Sequence, residues 1–82
     1  VLDRDETTCG RQPTSDIFLD DVTVSRKHAE IRREGTSFTI ADVGSLNGTF
    51  VNRARVDVSP LANGDEIQIG KFKLAFFTEA AP

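Results

Sequence analysis

Apolar and polar residues alternate along this chain in short runs, and nearly every run ends at Gly, Asn, Asp or Pro. A period of two broken by frequent turn residues predicts strands throughout, and no stretch carries the 3.6-residue period of a helix. A strand is expected at 17–19, entered from a turn at 13–16. Another is expected at 28–33, with Ala29 and Ile31 on one face and Glu30 and Arg32 on the other. The turn Glu34-Gly35-Thr36 leads into a strand at 38–41, so these two segments form a hairpin. Gly44-Ser45 and Asn47-Gly48 mark a kinked connection to 49–51, Asn63-Gly64-Asp65 turns into 66–69, and Gly70-Lys71 turns into 72–76. Residues 78–82 read as a loose tail. The inward positions predict a core of Phe18, Val24, Ala29, Ile31, Phe38, Ile40, Phe50, Leu61, Ile67, Ile69, Phe72, Leu74 and Phe76. The expected fold class is all-β, a sandwich or barrel.

Eighty-two residues hold one domain, and a domain of this size buries only ~60–65% of its unfolded surface. No apolar run approaches the ~18 residues that a membrane-spanning helix needs. Val1 in place of an initiator Met is read as the start of a piece of a longer protein. Cys9 is the single cysteine, so no internal disulfide can form; a reducing compartment, the cytoplasm, is expected, with Cys9 as a small buried apolar side chain.

Net charge is −3, which argues against a general binder of nucleic acid or anionic membrane. The charge is uneven. Residues 1–21 are net −4, residues 22–56 net +3, and the remainder net −2. A locally basic middle suits a small anion presented by a selective partner.

Three clusters fall where the strand pattern breaks: Gly10-Arg11, Ser25-Arg26-Lys27-His28, and Ser45-Leu46-Asn47-Gly48-Thr49. A guanidinium matches phosphate oxygens in a fixed fork, a serine hydroxyl can donate to them, and an asparagine amide can both donate to and accept from a peptide main chain. Presented together from loops of a rigid sheet, such groups make a receptor for a phosphate with a peptide attached. Taken alone, Arg11 is better read as a surface residue and Asn47-Gly48 as a structural turn; the order and spacing of the clusters carry the signal. His28 has no second histidine beside it, so a metal site is not expected, and its better reading is a brace between loops.

This order of motifs resembles the forkhead-associated (FHA) domain family, from about Asp3 to Phe77, with Gly64-Asp65-Glu66-Ile67 and Ile69-Gly70 in the family's late positions. Within the family, the runs from Ser15 to Ser25 and from Asp42 to Thr49 are similar to regulators of actinobacteria. The resemblance implies a twisted antiparallel β-sandwich that binds phosphothreonine peptides without catalysis or cofactor. It implies that Arg11, Ser25 and Arg26 hold the phosphate, that Ser45 and the backbone of Leu46 line the same pocket, that Asn47 holds the peptide backbone, and that Gly10, His28 and Gly48 are structural. Leu46 stands where some members have a threonine hydroxyl, so more of the anion falls to Arg26. The family's first strand and the regulators' threonine-containing amino-terminal tail are expected before Val1. Implied partners are phosphothreonine proteins, namely Ser/Thr kinases or their substrates and enzymes of 2-oxoglutarate and glutamate metabolism; a monomer with no nucleic-acid or membrane partner is expected.

Two other classes compete. A small nucleic-acid-binding barrel needs stacking aromatics on a basic groove, but the chain lacks Trp and Tyr, and most of its Phe fall at core positions. A small hydrolase would use Ser25 or Cys9, yet no nucleophile elbow is present. Gly64 to Lys71 has the wrong spacing for a phosphate loop, and the Asn47-Gly48-Thr49 sequon would go unused in a reducing compartment. Arg53 and Arg55 are candidates for reading the residues that flank a phosphothreonine.

Overall fold

The computed structural model describes residues 6–77, which form nine strands in two sheets. The larger sheet has the order β2-β1-β3-β4-β7, from β1 (Glu6–Gly10), β2 (Ile17–Phe18), β3 (Ala29–Glu34), β4 (Ser37–Asp42) and β7 (Val58–Leu61). The smaller has the order β6-β5-β8-β9, from β5 (Thr49–Val51), β6 (Ala54–Val56), β8 (Glu66–Ile69) and β9 (Phe72–Ala75). All pairings are antiparallel except β1 with β2. The chain is thus the all-β sandwich expected, with one parallel pair at an edge. The loose tail assigned to 78–82 and the residues before Glu6 lie outside the described residues.

Alternation decides what is buried. The β3–β4 hairpin pairs Ile31 with Ile40, and both side chains enter the space between the sheets. Ile67 and Ile69 enter from β8, and Phe38 meets Phe76 edge to face at 5.3 Å. Val24, Ala29 and Cys9 close the end of the core beneath the loops.

The expected core needs four kinds of correction. Phe18 is 47% exposed, because β2 is only two residues long at the sheet edge; Leu19 turns inward instead, its amide bonded to the Gly10 carbonyl. Phe50 faces outward and is half-buried, since the period of two sends Thr49 and Val51 to the interior. Leu61, Phe72 and Leu74 are half-buried and pack against the core rim. Ala41, on the face opposite Ile40 and absent from the expected core, is buried.

Strands β6 and β7 carry no clean alternation, and Pro60 argues against a central strand. β7 lies at the edge of its sheet, where proline is tolerated. The turn joining β5 to β6 places Asn52 and Arg53 at φ 50° and 72°, a left-handed pair that matches the twist of a two-residue hairpin.

Candidate functional site

The sandwich gathers the three clusters at one end. β1 ends at Gly10, and its line of hydrogen bonds continues into the 25–28 segment: His28 N–H donates to the Cys9 carbonyl at 3.0 Å, Arg11 N–H to Ser25 at 3.0 Å, and Gln12 N–H to Arg26 at 3.2 Å. Gly10 is required here by space rather than by an unusual backbone angle. A side-chain carbon at Gly10 would lie 2.2 Å from the Arg26 carbonyl oxygen, and Gly10 has no positive φ.

Residues 25–28 fold over on themselves instead of extending the strand, which begins at Ala29. In an extended strand the odd offset would put Ser25 and His28 on opposite faces; the bend brings them together instead. His28 is fully buried, and both ring nitrogens are engaged. Nδ1 accepts the Ser25 N–H at 3.1 Å, which leaves the proton on Nε2 to be donated to the Gly48 carbonyl at 2.8 Å. His28 thus links the 25–28 segment to the 45–48 loop through both ring nitrogens. With neither nitrogen bonded to the Ser25 hydroxyl, it activates no nucleophile.

Ser25 Oγ accepts the Leu46 N–H at 2.9 Å. That bond uses an acceptor lone pair and leaves the hydroxyl proton available. Asn47 donates its side-chain amide to the Thr23 carbonyl at 2.8 Å, joining the 21–25 and 45–48 loops a second time. Arg11 and Arg26 are exposed at this end, and neither guanidinium has a hydrogen-bond or ion-pair partner among the described residues. Leu46 contributes its amide, while its side chain is 85% exposed.

Ser45 takes a different place. Its hydroxyl proton goes to the Asp42 carboxylate, and its oxygen accepts the Gly48 N–H at 3.0 Å. Asp42 is the hub of this loop, also accepting the Gly44 and Ser45 amides at 2.8 and 2.9 Å and the Thr49 hydroxyl at 2.9 Å. Partial burial alone would raise the Asp42 pKa, but the donors from Ser45, Thr49 and Gly44 outweigh it and hold the carboxyl at about 2. Gly48 meets the loop's geometric demand with φ 91°.

Asp21 plays the matching part in the other loop. It accepts the Thr23 hydroxyl and amide and pairs with Lys71 at 3.0 Å, and these contacts, the hydroxyl first, lower its pKa to about 2. Thr23 Oγ1 accepts the Lys71 N–H at 2.9 Å, which anchors the loop to the β8–β9 turn. Asp21 and Asp42 were missing from the residues singled out by sequence. The readable signal was Asp followed two residues on by a turn amide, the Asx-turn pattern.

Cys9 is buried at 1% exposure, and desolvation, reinforced by the negative charge of Asp16, pushes its thiol up to about 12. It is inert as a nucleophile at neutral pH. Among the described residues no group of three or more His, Cys, Asp or Glu could hold a metal ion, and no helix is long and apolar enough to cross a membrane.

The model of the FHA domain family matches residues 7–70. The glycogen accumulation regulator GarA of Mycolicibacterium smegmatis is 67% identical over 78 residues, covering 95% of this chain and 49% of the relative. The oxoglutarate dehydrogenase inhibitor of Corynebacterium jeikeium is 64% identical over 76 residues, covering 93% of this chain and 53% of the relative. The chain thus spans about half the length of the curated relatives it matches. Among solved structures, an FHA domain from a structural and functional analysis of phosphothreonine-dependent FHA domain interactions superposes with a TM-score of 0.86 and 38% identity, over 90% of this chain and 77% of that one.

Proposed function

Because this chain belongs to the FHA domain family, we propose that its loop end is a phosphothreonine-peptide receptor, and that residues 1–82 form one such domain. One observation carries the reading. Ser25 Oγ is held in place by the Leu46 amide with its proton still to give, on an end of the sandwich where Arg11 and Arg26 are exposed and without a partner among the described residues. A phosphothreonine brings a charge of ~−1.5 to −2 and three acceptor oxygens at neutral pH, enough for one to three charge-assisted hydrogen bonds. Arg11 and Arg26 supply the cations, Ser25 the hydroxyl. Ser45 lines this site as the residue that shapes the loop, and Leu46 contributes backbone. Asn47 retains a side-chain oxygen and a second amide hydrogen for the peptide main chain after bonding to Thr23.

The receptor binds and does not catalyse. Its one histidine is spent on bracing and its one cysteine is buried and protonated. The protein acts in Ser/Thr-kinase signalling in the cytoplasm as a monomeric adaptor. Its partners are kinases or their substrates, including enzymes at the 2-oxoglutarate–glutamate branch, a reading supported by the regulator and inhibitor names of the relatives.

Titration with a phosphothreonine peptide, its unphosphorylated twin, its phosphoserine twin and single-stranded DNA tests the proposal. Binding is expected for the phosphothreonine peptide, with loss of ~10–200-fold when the single methyl is removed in the phosphoserine peptide. Equal binding of the phosphorylated and unphosphorylated peptides, or preference for DNA, would overturn it.

A further inference from the structure

Arg55 lies on β6 directly across from Phe50, on the outer face of the smaller sheet. Its guanidinium reaches along that face to Gly48. A side-chain carbon placed on Gly48 would come within 2.8 Å of Arg55 Nε and 3.0 Å of Cζ. The guanidinium therefore rests against a loop residue that has no side chain to exclude it. It is exposed, and no carboxylate among the described residues pairs with it.

The contacts run in a fixed order: Ser25 to the Leu46 amide, along the backbone through Asn47 to Gly48, and from Gly48 to Arg55. Consecutive Cα atoms are ~3.8 Å apart, and an extended bound peptide advances ~3.3 Å per residue. A side chain a few residues from the phosphothreonine, on the flank that Asn47 holds, is thus within reach of Arg55. A planar fork of donors without a partner matches a carboxylate better than any other common side chain.

Arg53 differs in kind, although it is only two residues away. It sits at the tip of the β5–β6 turn at φ 72°, at the end of the hairpin remote from Gly48. Its neighbour Asn52 is tied to Asp65 at 3.1 Å and to the Glu66 amide at 2.9 Å. Of the two arginines, only Arg55 touches the loop cluster.

We propose that Arg55 is a specificity-determining residue that selects phosphothreonine peptides bearing Asp or Glu on the flank held by Asn47. The inference rests on the phosphopeptide reading of the loops and names the substrate class that reading leaves open.

The test is a set of phosphothreonine peptides in which Glu, Ala or Lys replaces each flanking residue in turn, titrated against wild type, Arg55→Glu and Arg53→Glu. The two variants change net charge equally, so Arg53→Glu controls for long-range attraction. Wild type is expected to favour Glu over Lys at one flanking position by about two- to fivefold, the range of an exposed ion pair. Arg55→Glu should invert that preference relative to its own binding of the Ala-flanked peptide, whatever its overall affinity, and Arg53→Glu should keep it. A preference that survives Arg55→Glu, or that both variants lose alike, overturns the assignment of Arg55 alone. Failure of wild type to bind any phosphopeptide overturns the phosphopeptide reading, and this inference with it.

Discussion

His28 Nε2 donates to the Gly48 carbonyl at 2.8 Å, across twenty residues of sequence and inside the protein. At the other edge of the ring Nδ1 accepts the Ser25 N–H, so one side chain fixes the serine of one loop against the turn of another. His28→Ala removes both partners at once and leaves a buried carbonyl unpaired. It should cost ~1–3 kcal/mol of stability, and phosphopeptide affinity should fall with it because Ser25 and Leu46 lose their relative placement. Thermal melts read the first effect and peptide titration the second; a fully stable His28→Ala would remove the brace from the account.

Arg11 provides the contrast. It is exposed and unpaired among the described residues, so Arg11→Ala should change stability by no more than about 0.5 kcal/mol, as at ordinary surface sites. The same variant should abolish detectable phosphopeptide binding. Normal binding by Arg11→Ala would remove the guanidinium from the site.

How far the sequence reached depended on whether a residue's role was local. Ile31, Ile40, Ile67 and Ile69 announced themselves because alternation is a property of neighbours in the chain. Phe18 and Phe50 misled because hydrophobicity alone does not give phase. A two-residue strand let Phe18 face out, and the buried Thr49 set the phase for Phe50. The hubs Asp21 and Asp42 were not singled out although most of their donors are local; of these contacts only the Asp21–Lys71 pair needs distant turns to meet. Gly10 was named only as structural by resemblance, and what requires a glycine there is steric. The obstacle is the Arg26 carbonyl, which belongs to another segment.

That obstacle makes Gly10→Ala a sharp test of how closely β1 approaches the 25–27 segment. A methyl 2.2 Å from a carbonyl oxygen cannot be accommodated without moving backbone that also carries Arg11 and Ser25. Overpacking of this kind typically costs ~1–3 kcal/mol. Denaturant titration should register the loss, and phosphopeptide affinity should fall more than in a surface variant such as Arg53→Ala. A Gly10→Ala protein as stable as wild type would show that the two segments can separate freely.

Acidity separates the loops from their ligand. Asp42 is held at about 2 against 3.8 in an unstructured chain, so its carboxylate stabilises the fold fully above ~4. That contribution is lost as pH falls toward 2, the direction required when folding lowers a carboxyl pKa. Asp21 behaves alike. Neither group titrates between pH 7.5 and 5.5, so neither loosens the loops there. Phosphate does titrate in that interval, with its second pKa near ~6, and the monoanion offers Arg11 and Arg26 less charge than the dianion. Phosphopeptide affinity should therefore weaken from about pH 7.5 to about 5.5, and weaken also with added salt. The stability deficit of Asp42→Asn relative to wild type should hold constant over that interval and shrink only below about pH 4. Isothermal titrations across the first interval and thermal melts of both proteins down to about pH 2 measure the two effects. An affinity indifferent to both pH and salt would count against a phosphate-centred site, and an Asp42→Asn deficit that already closes near pH 6 would contradict the carboxylate's assigned place in the loop.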